Sequence, residues 1–478
     1  MLEKNINIQS VVKILKDYSD RDLIHEISNN KNITYLEFLR KSEEFFYFLT
    51  EKKKLIPGDK VIIKLENSSE YLISIFACFL GGFVACPIDK EIPNNKYKKI
   101  KKILDAKYEV NSFYKIKYFK KSSKRLNAQN KNLLCLIIFT SGSTGEPKGI
   151  QIKLNQYLGS ALSFGKLAEY DNTTIIYHCL PMHYNAGLLN TFFSGLLCGS
   201  KIVIGPQINM VNLFKFWRNL SFFKINSVHI VPEIANALIK LNVDREMSDE
   251  IQKIDKIIST GSHLYEETKD NFDRKYKKRL LSCYGLTEIG GPITLQDWED
   301  TFEENSVGKI IKNISIKIFN KKDLNLVYVK TPYLFDSYLL EGGKIQKPKK
   351  TKGYFNTNDI GEYKNNQLFI YGRKKEIFKR GSEIVSPQDI ENICRSFKDV
   401  KDCAAITTDD INKGSKIYLL VEYKNNKFST VKNLNLLKKF LEKNLKKIEF
   451  PDKILLVSKI LRTSSGKIKK SDMKKMYL

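Results

Sequence analysis

None of the eight cysteines of the chain lies in a CxxC pair, and most of them stand in apolar surroundings. This pattern argues against a disulfide framework and a zinc site, and it predicts buried free thiols in a reducing compartment. The N-terminal segment MLEKNINIQSVV also lacks the long apolar stretch of a secretory signal peptide. We therefore expect a cytoplasmic protein.

Acidic residues are outnumbered, with 53 Asp and Glu against 81 Lys and Arg, and the formal net charge is +28. This excess favours anionic partners such as nucleotides, coenzyme A or an acidic carrier protein. The lysines are spread along the chain, which indicates a general compositional bias. RNP-type, zinc-finger and homeodomain patterns are all missing, so we expect no nucleic-acid partner.

Long hydrophobic runs are also scarce, and no internal repeat is visible. Residues 71–88 (YLISIFACFLGGFVACPI) form an uncharged run that reaches the length of a membrane-span candidate. The run contains Gly81-Gly82 and ends near Pro87. We interpret it as a buried helix, a glycine turn and a short strand, and expect no membrane span.

The 478 residues are too many for one compact core, so two or more domains are expected. Helices and short apolar strands alternate through the first 370 residues, which predicts a layered α/β domain. Thr34-x-x-Glu37 is a capping box that opens one of these helices. In the last hundred residues, the apolar runs 403–407 and 417–423 and an amphipathic helix at 431–445 predict a second, smaller α/β unit.

The strongest chemical signal is the segment Phe139-Thr-Ser-Gly-Ser-Thr-Gly-Glu-Pro-Lys-Gly149, which follows the apolar run LLCLIIF. Glycines and small hydroxyl residues allow the backbone to approach a polyphosphate closely, with N–H groups and hydroxyls facing its oxygens. Lys148 adds a cation. The segment is not a Walker A loop, because GxxxxGK[ST] is absent.

This segment and the motifs that follow it resemble, in order, the signatures of the adenylate-forming superfamily. That superfamily contains acyl- and aryl-coenzyme A ligases, peptide-synthetase adenylation domains and firefly luciferase. The resemblance extends over nearly the whole chain and is greatest to the AMP-forming acyl-coenzyme A ligases. The residues that it implies for ATP and AMP binding are Thr140, Ser141, Gly142, Ser143, Thr144, Gly145, Lys148, Gly261, Ser262, His263, Tyr284, Gly285, Asp359 and Arg373.

Residues 284–288 (YGLTE) resemble the YGxTE motif of this superfamily. The resemblance implies that the Tyr284 ring stacks on adenine, that Thr287 contacts the α-phosphate and that Glu288 holds Mg²⁺. A carboxylate suits a hard cation that keeps most of its waters. Residues 261–264 (GSHL) resemble the Gly-Ala-Pro-Leu loop that lines the adenine, with Ser and His in place of Ala and Pro.

Residues 356–359 (NTND) resemble the TGD motif, in which the aspartate accepts hydrogen bonds from the ribose hydroxyls. Asn358 replaces the glycine, and asparagine tolerates left-handed backbone angles. Residues 372–376 (GRKKE) resemble the GRxKD hinge motif, which implies that Arg373 contacts ribose and Lys375 is the pivot. The predicted domains are therefore 1–374, for nucleotide and acyl binding, and 375–478.

The C-terminal segment TSSGK at 463–467 resembles the T-x-x-GK motif, which implies that Lys467 contacts the carboxylate and the α-phosphate. Thr287, Glu288 and Lys467 are then the implied catalytic residues. Gly381, Ser382 and Glu383 resemble the loop that lines the tunnel for the thiol arm. The resemblance thus places one functional group on the small domain for each half of a two-step reaction.

Residues 181–187 (PMHYNAG) resemble the acyl-pocket motif, which implies pocket roles for Tyr184, Asn185 and Gly187. Relatives that activate amino acids place an aspartate shortly after this motif to hold the α-amino group. Here residues 186–197 read AGLLNTFFSGLL and contain no acid. This disfavours an amino acid and leaves fatty, aryl or other organic acids.

The implied activity is a ligase that forms an acyl-adenylate from a carboxylic acid and MgATP and passes the acyl group to coenzyme A. An acyl carrier protein with a phosphopantetheine arm is the alternative acceptor. A third alternative is a non-catalytic basic binding protein on the same fold. The motif residues Glu288, Asp359, Arg373 and Lys467 argue against it.

Overall fold

The computed structural model describes residues 6–111, 133–141, 147–208, 211–297, 303–321, 324–374, 378–380, 383–410, 414–424, 431–462 and 468–478. Within these ranges, the side chains of residues 140–141, 378–380, 383–384, 388, 409–410, 414–415 and 431–432 are outside the description.

The helices are distributed along both parts of the chain. In chain order they are α1 (Ile8–Asp17), α2 (Tyr35–Tyr47), α3 (Ser69–Gly81), α4 (Asn94–Leu104), α5 (Leu154–Leu167), α6 (Ser194–Cys198), α7 (Phe216–Phe222), α8 (Pro232–Ile239), α9 (Arg245–Gln252), α10 (Glu266–Tyr276), α11 (Pro387–Arg395), α12 (Val431–Asn444) and α13 (Lys470–Tyr477). The described ranges also contain two π-helices, at Phe48–Lys52 and Ala186–Phe193, and short 3₁₀ turns at Leu213–Lys215, Thr287–Ile289 and Glu341–Gly343.

Most strands belong to the larger part. They are β1 (Asp22–Glu26), β2 (Lys31–Thr34), β3 (Lys60–Ile63), β4 (Val84–Pro87), β5 (Tyr108–Val110), β6 (Leu134–Ser141), β7 (Pro147–Lys153), β8 (Ile175–His178), β9 (Lys201–Ile204), β10 (Ser227–Ile230), β11 (Lys256–Ser259), β12 (Leu280–Ser282), β13 (Gly285–Leu286), β14 (Gly291–Pro292), β15 (Thr294–Leu295), β16 (Ser306–Ile310), β17 (Ser315–Lys321), β18 (Leu324–Lys330), β19 (Ser337–Leu339), β20 (Ile345–Gln346), β21 (Lys350–Thr351), β22 (Tyr354–Lys364) and β23 (Gln367–Arg373). The remaining strands are β24 (Phe378–Arg380), β25 (Glu383–Val385), β26 (Val400–Asp410), β27 (Gly414–Tyr423) and β28 (Lys453–Leu456).

The strands described in the large domain form three seven-stranded sheets and the two-stranded pair β13-β14. Two of the large sheets are mixed. In the order β12-β11-β10-β8-β9-β1-β2 all neighbours except β1 and β2 run parallel. In the order β20-β19-β7-β6-β4-β3-β5 the neighbours run parallel from β6 to β5 and antiparallel from β20 to β6. The third is antiparallel, with the order β15-β16-β23-β22-β18-β17 and with β21 paired to β22. Strands such as β9 and β11 are short apolar runs that are buried almost throughout, as expected for parallel strands covered on both faces. The predicted layered α/β architecture is confirmed.

Residues 71–88 fold as the sequence predicts. Helix α3 ends at Gly82, whose left-handed backbone (φ 67°) closes the last turn, and β4 follows directly. Nearly every side chain of α3 is buried, which explains why the run carries no charge. Nowhere in the described ranges does a helix have both the length and the apolar character needed to cross a bilayer.

Local signals also hold in helix α2. The Thr34 side chain accepts from the Glu37 N–H, and the Glu37 side chain accepts from the Thr34 N–H, so the predicted capping box is formed. The face that carries Phe38, Phe45 and Phe46 is buried against helix α3 and the main hydrophobic core. Burial of this face, with its fixed N-terminal cap, orients α2 on the sheets.

The small domain has its own core. Strands β26, β27 and β28 form one sheet, in which β26 and β27 are antiparallel and β27 and β28 are parallel. Helices α11 and α12 bury apolar residues against it, among them Ile390, Cys394, Leu437 and Leu441. A large N-terminal domain and a small C-terminal domain therefore both exist, as predicted.

Candidate active site

Several predicted site residues lie outside the described residues. They are Gly142, Ser143, Thr144 and Gly145 of the phosphate-binding segment, the hinge Lys375, Gly381 and Ser382 of the thiol-arm loop, and Lys467. Thr140, Ser141 and Glu383 are described by their backbone alone. The site below is built from the remaining residues.

Two motifs far apart in sequence meet at Tyr284. Its phenolic O–H donates to Oδ2 of Asp359 over 2.5 Å, and the Nε of Arg373 lies 3.1 Å from Oδ1 of the same carboxylate. Asp359 and Arg373 are register partners on the antiparallel strands β22 and β23. The carboxylate is almost completely buried, whereas half of the Arg373 side chain is exposed. Three residues implied to bind the nucleoside thus form one cluster.

The turn before Asp359 depends on an asparagine. Asn358 has φ 61°, in the left-handed region, and its N–H donates to the Asn356 side-chain oxygen over 2.9 Å. The Asp359 N–H donates to Thr357 Oγ1, and the Thr357 hydroxyl donates to the Val327 carbonyl oxygen. Asn358 thus adopts the left-handed conformation at this turn, and the network fixes the direction of the Asp359 side chain.

A second cluster joins the phosphate-binding segment to the predicted Mg²⁺ ligand. Tyr338 donates from its hydroxyl to Oε1 of Glu288 over 3.3 Å, and Nζ of Lys148 lies 6.0 Å from the centre of the Tyr338 ring. Burial and the Glu288 carboxylate both raise the pKa of Tyr338, which keeps it a donor at neutral pH. Tyr338 thus lies between a cation and a hard oxygen ligand, two groups whose chemistry fits a magnesium–polyphosphate group.

Glycine is required where the YGLTE segment turns back on itself. β13 and β14 pair so closely that a Cβ on Gly285 would lie 2.0 Å from the Gly291 carbonyl oxygen. The Ile293 N–H donates to the Tyr284 carbonyl oxygen over 2.8 Å. This hairpin holds the Tyr284 backbone and delivers Thr287 and Glu288 in the short helical turn between its strands.

The predicted adenine loop follows strand β11. Gly261 has φ 90°, and a Cβ there would meet Val231 at 3.6 Å. The Ser262 hydroxyl is buried without a partner among the described residues, and it is a candidate contact for a bound base. Burial lowers the pKa of His263 to about 4, and the cation of Arg395 acts in the same direction. His263 is therefore neutral at physiological pH.

The acyl-pocket motif lies against the same hairpin. A Cβ on Gly187 would lie 2.3 Å from the Pro181 carbonyl oxygen, so the chain turns tightly into the π-helix at Ala186–Phe193. A Cβ on Gly291 would meet Asn185 Nδ2 at 3.0 Å, and the Tyr184 ring packs on His183 with centroids 4.3 Å apart. Asn185 thus lies against the hairpin that carries Thr287 and Glu288.

Sequence reasoning missed Tyr338 and Tyr265. Tyr338 lies in β19, which pairs with β7, so the sheet brings it to Lys148 across a large sequence separation. Tyr265 immediately follows the adenine loop and contacts the small domain through Glu391 and Arg395. Neither tyrosine stands in a recognisable motif. The sequence carried no signal for Tyr338, because its place in the site depends on the pairing of β19 with β7.

Comparison with known proteins agrees with this geometry. The family model for AMP-binding enzymes matches residues 13–110 and 98–339, and the model for the C-terminal domain of AMP-binding enzymes matches residues 389–467. Since the first model covers more than half of the chain, it establishes the family.

Relatives and solved structures show the same similarity. A malonate–CoA ligase of Arabidopsis thaliana is 26% identical over 71% of this chain and 60% of its own length. An oxalate–CoA ligase of the same plant is 22% identical over 97% of both chains. The crystal structure of ATP-bound MatB from Rhodopseudomonas palustris is 18% identical, superposes with a TM-score of 0.84, and covers 99% of both chains.

The fold of two unequal domains, the converging motifs and the family matches lead to one assignment. The chain belongs to the AMP-binding enzyme family of the adenylate-forming superfamily, and it is an enzyme of the AMP-forming acid–thiol ligase type.

Proposed function

We propose that this enzyme activates a carboxylic acid without an α-amino group as its acyl-adenylate, using MgATP, and passes the acyl group to the thiol of coenzyme A. The observation that carries the proposal is the convergence of two clusters on one hairpin. The cluster of Tyr284, Asp359 and Arg373 fits a nucleoside, and the cluster of Lys148, Tyr338 and Glu288 fits a magnesium–polyphosphate group.

In this proposal the buried Asp359 carboxylate accepts hydrogen bonds from the ribose hydroxyls, and Arg373 is held beside it to contact the same sugar. Tyr284 presents its ring to the adenine while its hydroxyl stays bonded to Asp359. Burial and the neighbouring Asp359 charge raise the pKa of Tyr284, so the hydroxyl remains a donor. The nucleoside is thereby bound in a fixed orientation, which places its α-phosphate next to Thr287.

The phosphates lie, in this proposal, along Lys148 and the segment 140–145. Mg²⁺, when bound by Glu288, supplies a positive charge that offsets the charge developing on the α-phosphate oxygens. The Thr287 hydroxyl and the Lys467 ammonium group donate to the same oxygens and to the carboxylate. The carboxylate attacks the α-phosphorus in line, the bond to pyrophosphate breaks, and acyl-AMP remains.

Thioester formation, the second step, needs different protein groups around the acyl-adenylate than its formation does. We propose that the small domain turns about Lys375, withdraws Lys467 and brings in the loop of Gly381, Ser382 and Glu383. A thiol then attacks the acyl carbonyl, and AMP leaves with the bonding electrons of the broken C–O bond. A hinge of this kind lets one cavity serve two transition states in turn.

The acid itself is proposed only as a class. Residues 186–197 contain no acidic side chain for an α-amino group. The two plant relatives are named for malonate and oxalate, which both lack an amino group. Small dicarboxylic acids therefore belong in the first substrate panel together with aryl and fatty acids.

The test is an assay of pyrophosphate release with dicarboxylic, aryl and fatty acids, each with Mg²⁺ and with EDTA. Release that requires both an acid and Mg²⁺ is the expected result. Parallel reactions with coenzyme A or a phosphopantetheinylated carrier protein then identify the acceptor, with thioester expected on coenzyme A. If no acid in the panel releases pyrophosphate, the proposal fails.

A further inference from the structure

The small domain contacts the large domain directly at the predicted adenine loop. Tyr265, the residue after that loop, donates from its hydroxyl to Oε2 of Glu391 over 3.1 Å. The guanidinium carbon of Arg395 lies 4.3 Å from the centre of the Tyr265 ring, a cation–π distance. Glu391 and Arg395 are both on helix α11 of the small domain. One ring therefore receives two contacts from the neighbouring domain.

A second contact between the domains lies close to the same loop. Nη1 of Arg462 donates to Oε1 of Glu233 over 2.8 Å, and Glu233 is in the first turn of helix α8. Val231, two residues earlier, is the residue that approaches Gly261 in the adenine loop. Both interdomain contacts thus adjoin the predicted adenine loop, one through Tyr265 and the other through the start of helix α8.

Both arginines are held in place by their own domain. Asp402 accepts from Nε of Arg395 over 3.1 Å and from Nη2 of Arg462 over 2.8 Å. Glu391 is buried and pairs with Lys470 over 2.8 Å. Because carboxylates of the small domain orient these cations, less rotamer freedom is lost when they meet Glu233 and Tyr265.

We propose that Arg462 and Arg395 form an interdomain latch with Glu233 and Tyr265, and that this latch sets how long the enzyme remains in the orientation that forms acyl-adenylate. Arg462 precedes Lys467 by five residues in the sequence, so the latch fixes the chain just ahead of the predicted catalytic lysine. Arg462 and Glu233 are positioning residues. The assignment of half-reactions rests on the proposed function, whereas the latch itself rests on the contacts.

The latch must open for the second step. When the small domain turns, Arg462 and Arg395 keep Asp402 as a partner, while Glu233 loses the cation that faces it. Glu233 carries a second carboxylate oxygen that is buried without a partner among the described residues, so its charge depends strongly on Arg462. Burial raises the pKa of Glu233, and Arg462 opposes this rise. A substitution of Glu233, the large-domain partner, should therefore weaken the latch more directly than a substitution on the small domain.

The test compares Glu233→Gln with the matched control Glu44→Gln. Glu44 pairs with Arg40 over 2.9 Å at similar exposure, 22% against 27% for Glu233, but that pair lies wholly within α2. Spin labels at Asp249→Cys and Lys443→Cys report the distance between the domains. Every native cysteine except Cys198 is buried, so labelling of the protein without introduced cysteines measures the background signal from native thiols. The rates of pyrophosphate release and of thioester formation from supplied acyl-AMP are measured on the same variants as the interdomain distance.

We expect Glu233→Gln to broaden the interdomain distance distribution and to slow adenylate formation on the order of tenfold, a typical size for coupling between sites. Thioester formation should not fall, and Glu44→Gln should change neither quantity. An unchanged distance distribution, or equal loss in both half-reactions, overturns the latch. If Glu233→Gln does not fold, Tyr265→Phe, which keeps the ring but loses the bond to Glu391, serves as the second variant with the same readouts. Absence of any pyrophosphate release by the unmodified enzyme would count against the proposed function alone, because the distance measurement needs no substrate turnover.

Discussion

The hydroxyl of Tyr284 donates to the carboxylate of Asp359 over 2.5 Å, although 75 residues separate them in the chain. The bond joins the hairpin that carries Thr287 and Glu288 to the strand pair β22 and β23, on which Asp359 and Arg373 face each other. Tyr284 is therefore positioned by a residue that is itself expected to contact the ribose. We therefore expect these residues to act on a bound nucleoside as one unit, so that removing one of them affects the others.

Asp359→Asn should raise the KM for ATP by on the order of tenfold or more. The amide removes the buried charge that pairs with Arg373 and weakens acceptance from the ribose hydroxyls. Tyr284→Phe should have a smaller effect, because the ring is retained for the adenine. Initial rates of pyrophosphate release over a range of ATP concentrations measure both. Equal KM values for Asp359→Asn and the unmodified enzyme would contradict the assignment.

Glu288→Gln should reduce the adenylation rate by about 10²–10³ and raise the Mg²⁺ concentration needed for half-maximal activity. Glutamine keeps the size of the side chain but replaces a carboxylate ligand by a neutral amide. Tyr338→Phe should be milder, because it leaves the carboxylate in place. A Mg²⁺ titration of pyrophosphate release distinguishes the variants. Loss of rate without any change in Mg²⁺ requirement would point to a role for Glu288 other than metal binding.

Lys375→Pro should block alternation between the two half-reactions, whereas Lys375→Ala should be mild. Proline fixes φ near −65° and also restricts the preceding Lys374, so a hinge residue can no longer move between two sets of angles. With the adenylating orientation trapped, acyl-AMP should accumulate and thioester output should fall at least tenfold. Separate assays of the two steps, on protein with an unchanged Tm, measure this. A normal overall rate for Lys375→Pro would show that the pivot is elsewhere.

Asp273 provides a test of stability against pH. Burial raises the pKa of this carboxyl from 3.8 to about 6, while its Oδ1 accepts from the Leu280 N–H over 2.8 Å. An acid with a raised folded-state pKa contributes stability that is fully present below pH 3.8 and lost as the pH rises through about 6.

Asp273→Asn cannot ionise and keeps an oxygen for the Leu280 N–H. We therefore compare the Tm of the variant minus the Tm of the unmodified enzyme at two pH values. This difference should be about 1–3 °C larger at pH 7.5 than at pH 4.5. The exposed Asp249→Asn on α9 is the control and should show no such difference. A constant offset in Tm at both pH values would contradict the buried-acid explanation.

Local features were predictable from sequence because their physical causes are local. The capping box of Thr34 and Glu37, the left-handed turn at Asn358 and the glycine break after α3 each depend on neighbouring residues. The order of motifs was likewise sufficient to predict two unequal domains. These signals need no knowledge of how distant elements pack.

The residues that joined the site could not be predicted in this way. Tyr338 reaches Glu288 only because β19 pairs with β7, and Arg462 meets Glu233 only because two domains are in contact. Such pairs are properties of tertiary structure, and a single sequence carries no pattern that separates Tyr338 from the other tyrosines. In the same way, Glu233 reads as an ordinary first-turn glutamate.

The close packing of Gly285 on Gly291 limits how the substrate range of this enzyme can diversify. A Cβ on Gly285 would clash with the Gly291 carbonyl oxygen, and a Cβ on Gly291 would press on Asn185 Nδ2, so neither position accepts a side chain unless its neighbours shift. Leu189 of the π-helix Ala186–Phe193 packs against the same glycine, since a Cβ on Gly291 would meet its side chain at 3.5 Å. We therefore expect substitutions that reshape the predicted acyl pocket from this helix to move the hairpin and Tyr284 as well, so that selectivity for a new acid and affinity for ATP change together.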